Sequence, residues 1–291
     1  MTAPIDSLQS ELRGAGYVAD STIAATLHLA GVLQRPVLLE GEAGVGKTAV
    51  AHALARIRGT ELIRLQCYEG IDLATAAYEW NYTRQLLNIK LSEAQGTQMA
   101  ESDIFCEDFL LERPLLKAIR ADGPAVLLID EVDRADEAFE AFLLEVLSEF
   151  SISVPELGTL RARQIPAVIL TSNATRELSD ALRRRCLYHY IDYPSLEKEA
   201  HILNAHLPDF EQRLLMQIAR FVQGLRGLDI QKRPGVAETL DWAAALCNLQ
   251  VDDLADARER VEQTLGCLLK TSDDLESVGS AQIDELLAAS V

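Results

Sequence analysis

Basic residues are in short supply: 27 Lys and Arg stand against 45 Asp and Glu, a formal net charge of −18. A surface that acidic repels phosphate backbones and anionic lipid over a Debye length, which disfavours general affinity for nucleic acid or a membrane. Long apolar runs are missing as well. None approaches the roughly 18 residues that span a bilayer. The opening stretch "MTAPIDSLQSELRG" has no basic segment leading into an apolar one, so no secretory signal is expected. The expectation is a soluble, cytoplasmic protein with no integral membrane segment. Cysteines number five and form no C-x-x-C pair, so reduced thiols packed as small apolar residues are expected over a metal site or a disulfide framework. His201 and His206 fall on different faces of a helix, which argues against a metal site there. Aromatic residues make up 5% of the chain, and so "AAYEWNYTRQ" stands out, with Tyr78, Trp80 and Tyr82 at every second position. An extended segment sends all three rings to one face, toward the core, a contact surface or the wall of a nucleotide site.

What the chain does have is ordinary globular material, 48% hydrophobic and 25% charged, in 291 residues that suit one large or two modest domains. "RPVLLEGEAGVGKTAVAHALARIRG" reads as an apolar strand (Val37 to Leu39), a glycine-rich loop, and a helix to about Arg58 with Gly59 as its stop. "TELIRLQC", "PAVLLIDEVDRA", "QIPAVILTSNA" and "LYHYIDYP" supply four further strands. Helical segments such as "LLKAIRADG" and "EAFEAFLLEVLSEF" separate them, which indicates a mostly parallel sheet covered on both faces. From Pro194 the texture changes. Ser195, with Glu197 and Glu199 in the next turn, is a candidate N-cap, and helical spacing continues to the end. The expected division is an α/β core at 1–193 and an all-helical domain at 194–291. The stretch at about 70–110 is too long for an ordinary connection and is read as an insertion. From Val251 on, ten acidic residues stand against three basic ones, read as a solvated helical face.

The chemistry starts at Gly41, Glu42, Ala43, Gly44, Val45, Gly46, Lys47 and Thr48, a G-x-x-x-x-G-K-T run between strand and helix with Ala49 just inside the helix. Glycines let backbone N–H groups close around phosphates, Lys47 reaches the β and γ phosphates, and Thr48 can ligate Mg2+. "AVLLIDE" then delivers Asp130 and Glu131 at the end of an apolar strand, the edge where a parallel sheet presents its ligands. Asp130 is expected to hold the metal through its waters and Glu131 to activate the attacking water, which favours hydrolysis over transfer to a small substrate. Asn173, in "TSN" after the fourth strand, either positions that water or caps the next helix. Three arginines in "LSDALRRRC" form a solvated turn, or offer one guanidinium to a neighbouring subunit's γ phosphate. No N-K-x-D guanine signature is present, so ATP is the expected nucleotide.

In this order, with a helical region following, the motifs resemble the AAA+ ATPases, a P-loop NTPase fold with a C-terminal helical lid domain. More narrowly, "VLLEGEAGVGKT", "RLQC", "LLIDEVDRA" and "ALRRRCLYHYIDYP" resemble the MoxR group, over about residues 15 to 250. "YEWNYTRQLL" and "ETLDWAAAL" point to the branch that includes the ATPase needed to mature carbon-monoxide dehydrogenase. The resemblance implies Asn173 as sensor 1 and an arginine finger at Arg185, with Arg184 a close rival. It also implies a homo-oligomeric ring, usually a hexamer, with ATP at each interface, and a partner bearing a von Willebrand A domain that helps to remodel or load a client metalloenzyme. The chain departs from the pattern at Ala237, where the family often has a second sensor arginine; Arg233, one turn earlier, is the candidate substitute. Tyr17 and Val18, ahead of the first strand, are placed to line the adenine. An activator of Rubisco or of nitric-oxide reductase shares every motif, a nucleic-acid motor or loader is disfavoured by charge, and Asp130 with Glu131 speaks against a scaffold without turnover. The aromatic triplet lies outside the phosphate machinery, with Trp80 expected as an anchor and one tyrosine exposed.

Overall fold

Runs rich in Val, Ile and Leu are buried on both faces only when helices cover them, and the helices of this chain are spaced to do so. In the computed structural model, which describes residues 4–96 and 100–290, helices α1 (Pro4–Gly14) and α2 (Ser21–Leu33) precede strand β1 (Val37–Glu40), and α3 (Lys47–Arg58) follows the glycine-rich loop. After β2 (Leu62–Gln66) come α4 (Leu73–Ala76), β3 (Tyr78–Trp80), α5 (Tyr82–Ala94), α6 (Glu101–Ile104), β4 (Leu110–Glu112) and α7 (Pro114–Ile119). Then β5 (Val126–Asp130), α8 (Glu137–Glu149), β6 (Ser151–Val154), β7 (Gly158–Arg161), β8 (Ala167–Ser172), α9 (Asp180–Arg185) and β9 (Leu187–Tyr190) complete the α/β part. The remainder is helical: α10 (Leu196–His206), α11 (Gln212–Arg226), α12 (Val236–Asn248), α13 (Arg258–Thr264), α14 (Ser272–Ser277) and α15 (Ser280–Ser290).

The chain divides into two compact units. The first comprises Met1–Glu11, Asp20–Glu40 and Thr48–Tyr190. Its five-stranded sheet has the order β2-β5-β8-β1-β9 with every neighbouring pair parallel. Every residue of β5 is buried, as a central strand covered on both faces requires. The register sets Gln66 beside Asp130 and Ile129 beside Leu170, so the C-terminal ends of β2, β5 and β8 lie level. Helix α8 is capped by Asp136, whose side chain accepts from Phe139 N at 2.8 Å, and ends where Phe150 turns left-handed. The hairpin β6–β7 beyond it has no counterpart in the reading of the sequence.

The insertion carries structure of its own. Strands β3 and β4 pair antiparallel, with Trp80 opposite Leu110, and Asn81 caps α5 by accepting from Arg84 N at 3.0 Å. The chain is therefore extended only through Trp80, and the three rings do not share a face, because Tyr82 already belongs to the helix. Trp80 is buried in a T-shaped contact with the Phe105 ring, 5.3 Å between centroids, while Tyr82 is 60% exposed. Tyr78 packs partly buried on the same core. All five cysteines are free thiols. Burial pushes the Cys67 thiol up to about 12, helped by the nearby Asp130, Asp133 and Glu131, and burial does the same to Cys186.

The second unit comprises Leu12–Ala19, Gly41–Lys47 and Ile191–Val291. Its core forms around α11, whose buried Leu214, Leu215, Ile218, Phe221, Val222 and Leu225 recur at helical spacing on one face. Phe221 packs against Trp242 of α12 with the rings tilted by 38° and their centroids 5.0 Å apart, and the Trp242 indole N–H donates to Thr264 Oγ1 at 2.8 Å. Ser195 caps α10, accepting from Lys198 N at 3.3 Å.

Candidate functional site

In the first unit, the end of β5 is a web built on one buried carboxylate. Asp130 Oδ1 accepts from Thr171 Oγ1 at 2.5 Å and from Thr48 Oγ1 at 3.2 Å, and Oδ2 accepts from Arg64 Nε at 3.0 Å. The level strand ends explain the convergence: Arg64 comes from β2, Thr171 from β8 and Thr48 from the first turn of α3. Glu131, the next residue, adopts φ +54, a left-handed conformation costly for a side chain with a Cβ. Its N–H is held by Thr171 Oγ1 at 2.9 Å, and its Oε2 accepts from Gln66 Nε2 at 3.1 Å and Arg134 Nε at 2.9 Å. That strained peptide turns the Glu131 carboxylate out of the strand, where it is half-buried.

Asp133 went unnoticed in the sequence, although it stands three residues past Asp130. Its Oδ1 accepts from Asn173 N at 3.3 Å, and its Oδ2 accepts from Thr175 N at 3.0 Å and Thr175 Oγ1 at 2.6 Å. Burial raises the Asp133 pKa, but the donors from Thr175 and Asn173 outweigh it and hold the carboxyl below its ordinary range. Asn173 is thereby fixed through its backbone, with its side chain half-buried just past β8.

All three arginines of α9 are exposed. Arg35 caps that helix at its C-terminal end, donating to the carbonyl oxygens of Arg184 and, at 3.0 Å, Arg185. The Arg183 guanidinium lies 5.8 Å from the centroid of the Tyr188 ring. Arg184 and Arg185 line a shallow groove with Leu144 and Ser148, and neither forms an ion pair among the described residues.

In the second unit, the loop Gly41–Lys47 has three residues at positive φ, and at Gly41 an added Cβ would lie 2.2 Å from the Ile191 carbonyl oxygen. Lys47 is buried, and its ammonium donates to the carbonyls of Gly41 at 2.8 Å and Glu42 at 2.7 Å. The Gly44 carbonyl accepts from Val236 N at 2.9 Å, the first residue of α12. A ring carbon of Tyr17 lies 4.0 Å from where a Gly46 Cβ would stand, so this ring flanks the loop, and Val18 beside it is half-buried. Arg233 is exposed, on the rim of a cleft of about 630 Å³ with Glu42, Ala43, Tyr193, Lys232 and Lys270. Its carbonyl accepts from Tyr193 Oη at 3.4 Å. Ala237 is exposed in the first turn of α12.

A phosphate loop leading into a helix and a web of carboxylates at the end of a parallel strand define a P-loop nucleoside-triphosphatase. Residues 36–186, just over half of the 291, match the model of the AAA domain, dynein-related subfamily. The chain belongs to this family and is an AAA+ ATPase. Over 201 residues it is 30% identical to the gas vesicle ATPase GvpN of Haloferax mediterranei, a match covering 66% of this chain and 56% of that protein. Over 142 residues it is 32% identical to midasin of Giardia intestinalis, covering 48% of this chain and 2% of midasin. The chain thus spans about half the length of the gas vesicle relative. The RuvB Holliday junction branch migration motor of Thermotoga maritima superposes with a TM-score of 0.46 at 18% identity, covering 85% of this chain and 64% of that one.

Proposed function

We propose that this ATPase hydrolyses ATP at the interfaces of a homo-oligomeric ring, hexameric in the family pattern, and uses the cycle to remodel or activate a client protein. The observation that carries the reading is the Thr48 hydroxyl, next in the chain to Lys47, against Asp130 Oδ1 at 3.2 Å. A hydroxyl and a carboxylate form the oxygen-donor pair that a hard cation accepts, so Thr48 and Asp130 would hold Mg2+, which neutralises phosphate charge when bound. The loop Gly41 to Gly46 and Lys47 take the phosphates, with Ala49 behind them, and Tyr17 and Val18 take the adenine. Glu131 accepts the proton as water attacks the γ phosphorus and the bond to the ADP oxygen breaks; Asn173 orients that water. Arg185 or Arg184 of a neighbouring subunit offsets the charge that develops, which their exposure and the lack of an acidic partner among the described residues support. Arg233, at the cleft, serves as the second sensor.

Glu131→Gln should keep ATP binding within a few-fold and lower turnover by about 100-fold or more. Mixing Arg185→Ala with Lys47→Ala subunits should recover part of the turnover that each lacks. Unchanged hydrolysis in the first experiment, or no recovery at any ratio in the second, sinks the corresponding role.

Within this reading, the client is a metalloenzyme undergoing maturation, acted on with a von Willebrand A-domain protein. The sequence "YEWNYTRQLL" supports that branch, and the exposed Tyr82, Leu86 and Leu87 on α5 support contact with the client there. A second reading, service to gas vesicles, is favoured by the likeness to GvpN. Capture of bound proteins by the ATP-loaded Glu131→Gln chain separates them: a metalloenzyme supports the first and a gas vesicle protein the second.

A further inference from the structure

The proposed chemistry leaves unused a buried charge cluster in the second unit. Glu199 on α10 is fully buried and Arg226, at the end of α11, nearly so. The two meet as a fork, Arg226 Nη1 to Glu199 Oε2 at 2.7 Å and Nη2 to Oε1 at 2.6 Å. Gln223 Nε2 and Thr239 Oγ1 add a donor each, both at 2.9 Å, so the carboxylate on α10 is saturated by donors from two further helices, α11 and α12. This arrangement leaves one guanidinium nitrogen facing away from the carboxylate. That nitrogen, Nε, donates to the carbonyl of Pro234 at 2.7 Å, while the guanidinium lies 5.0 Å from the centroid of the Tyr193 ring.

Pro234 is followed by the segment that touches the phosphate loop. A Cβ added to Gly235 would stand 2.7 Å from Gly44 Cα, and one added to Gly44 would stand 3.1 Å from Gly235 Cα, so the two backbones are in contact. The N–H groups of Val236 and Ala237 close on the Gly44 carbonyl at 2.9 and 3.3 Å. Gly44, at φ +78, is the central glycine of the loop, and the direction of its peptide sets where the neighbouring N–H groups point.

We propose that Arg226, oriented by Glu199, is a positioning residue for ATP binding: through Pro234 and Gly235 it sets the Gly44 peptide and thereby the loop that receives the phosphates. This rests on the reading of Gly41–Lys47 as the phosphate site. Arg226 itself touches no nucleotide in this scheme. A side chain that acts only on folding alters how much active protein exists, whereas one that sets loop geometry alters the affinity of the protein that is folded.

The test uses the full chain, with KM and kcat for ATP, the Kd of N-methylanthraniloyl-ATP by fluorescence, and urea midpoints. The informative variant is the pair Glu199→Leu with Arg226→Met, because removing both charges leaves neither unpaired in an apolar interior. It should raise KM and Kd about tenfold with kcat within about threefold. Arg226→Lys keeps the charge but cannot hold the carboxylate and Pro234 together, and it should raise KM as well. Gly235→Ala leaves the ion pair intact, pushes on Gly44 directly, and should reproduce the effect even if the paired variant does not fold. Unchanged KM and Kd in the folded paired variant or in Gly235→Ala, wild-type KM in Arg226→Lys, or loss of kcat alone would overturn the proposal. Lys47→Ala serves as the control: if it still binds the fluorescent nucleotide normally, the phosphate-loop reading has failed and not the positioning role.

Discussion

Each unit contains an arginine bound to a buried carboxylate, and the two pairs are built for different ends. At the end of β5, Asp130 is buried but Arg64 is 51% exposed, and the hydroxyls of Thr48 and Thr171 also serve the carboxylate. Around Glu199, the arginine is nearly as buried as the acid, and every donor comes from a side chain within the helical core. An exposed partner can swing into water and leave one oxygen of Asp130 for another ligand at small cost. A buried partner cannot leave without stranding a charge. The first pair is suited to a site whose ligands exchange, the second to holding backbone in place.

The largest expected effect tests that contrast directly. Arg226→Met alone should destabilise the protein by about 3–5 kcal/mol, because it strands Glu199, whereas Arg64→Met should cost less than about 1 kcal/mol. Urea unfolding followed by circular dichroism measures both, and equal losses would erase the distinction. An apolar anchor provides a calibration of similar size within the first unit. Trp80→Ala should cost about 3–5 kcal/mol, while Tyr82→Ala, removing a ring 60% exposed, should stay within about 0.5 kcal/mol.

The smallest effect concerns pH and a third acid. The folded Asp133 carboxyl titrates below its unfolded value, so the stability it contributes is present above the ordinary carboxylate range, about pH 4, and is lost as pH falls through the depressed folded value. Asp133→Asn should therefore unfold at a lower urea concentration than the parent at pH 7, with the gap closing as acid is added. A gap that stays constant with pH would mean that the donors from Thr175 and Asn173 bind either form equally.

The sheet and the phosphate loop could be read from the sequence because each rests on local rules. A strand buried on both faces must be continuously apolar, as in Val126 to Ile129, and a loop that wraps phosphate needs glycine where a Cβ would collide, as at Gly41. In the aromatic triplet Trp80 is the buried anchor and Tyr82 the exposed tyrosine that were expected, and only the shared face fails, for a local reason too. A spacing of two implies one face only while the chain stays extended, and Asn81 starts a helix between the second ring and the third. Hairpin β6–β7 was missed because its β7 strand, Gly158 to Arg161, is mostly exposed and carries little apolar signal.

The positions of Lys47, Thr48, Asp130 and Glu131 along the chain, and the sheet that brings β2, β5 and β8 level, were determined by the sequence itself, since hydrophobic period and glycine placement act over a few residues. Asp133 beneath Asn173, Arg226 joined to Glu199, and Gly235 set against Gly44 were decided only in three dimensions. Their partners lie 40, 27 and nearly 200 residues apart in the chain. An acid and an arginine on amphipathic helices look the same in sequence whether they face water or each other, and only the packing of those helices removes the water that would otherwise keep them apart.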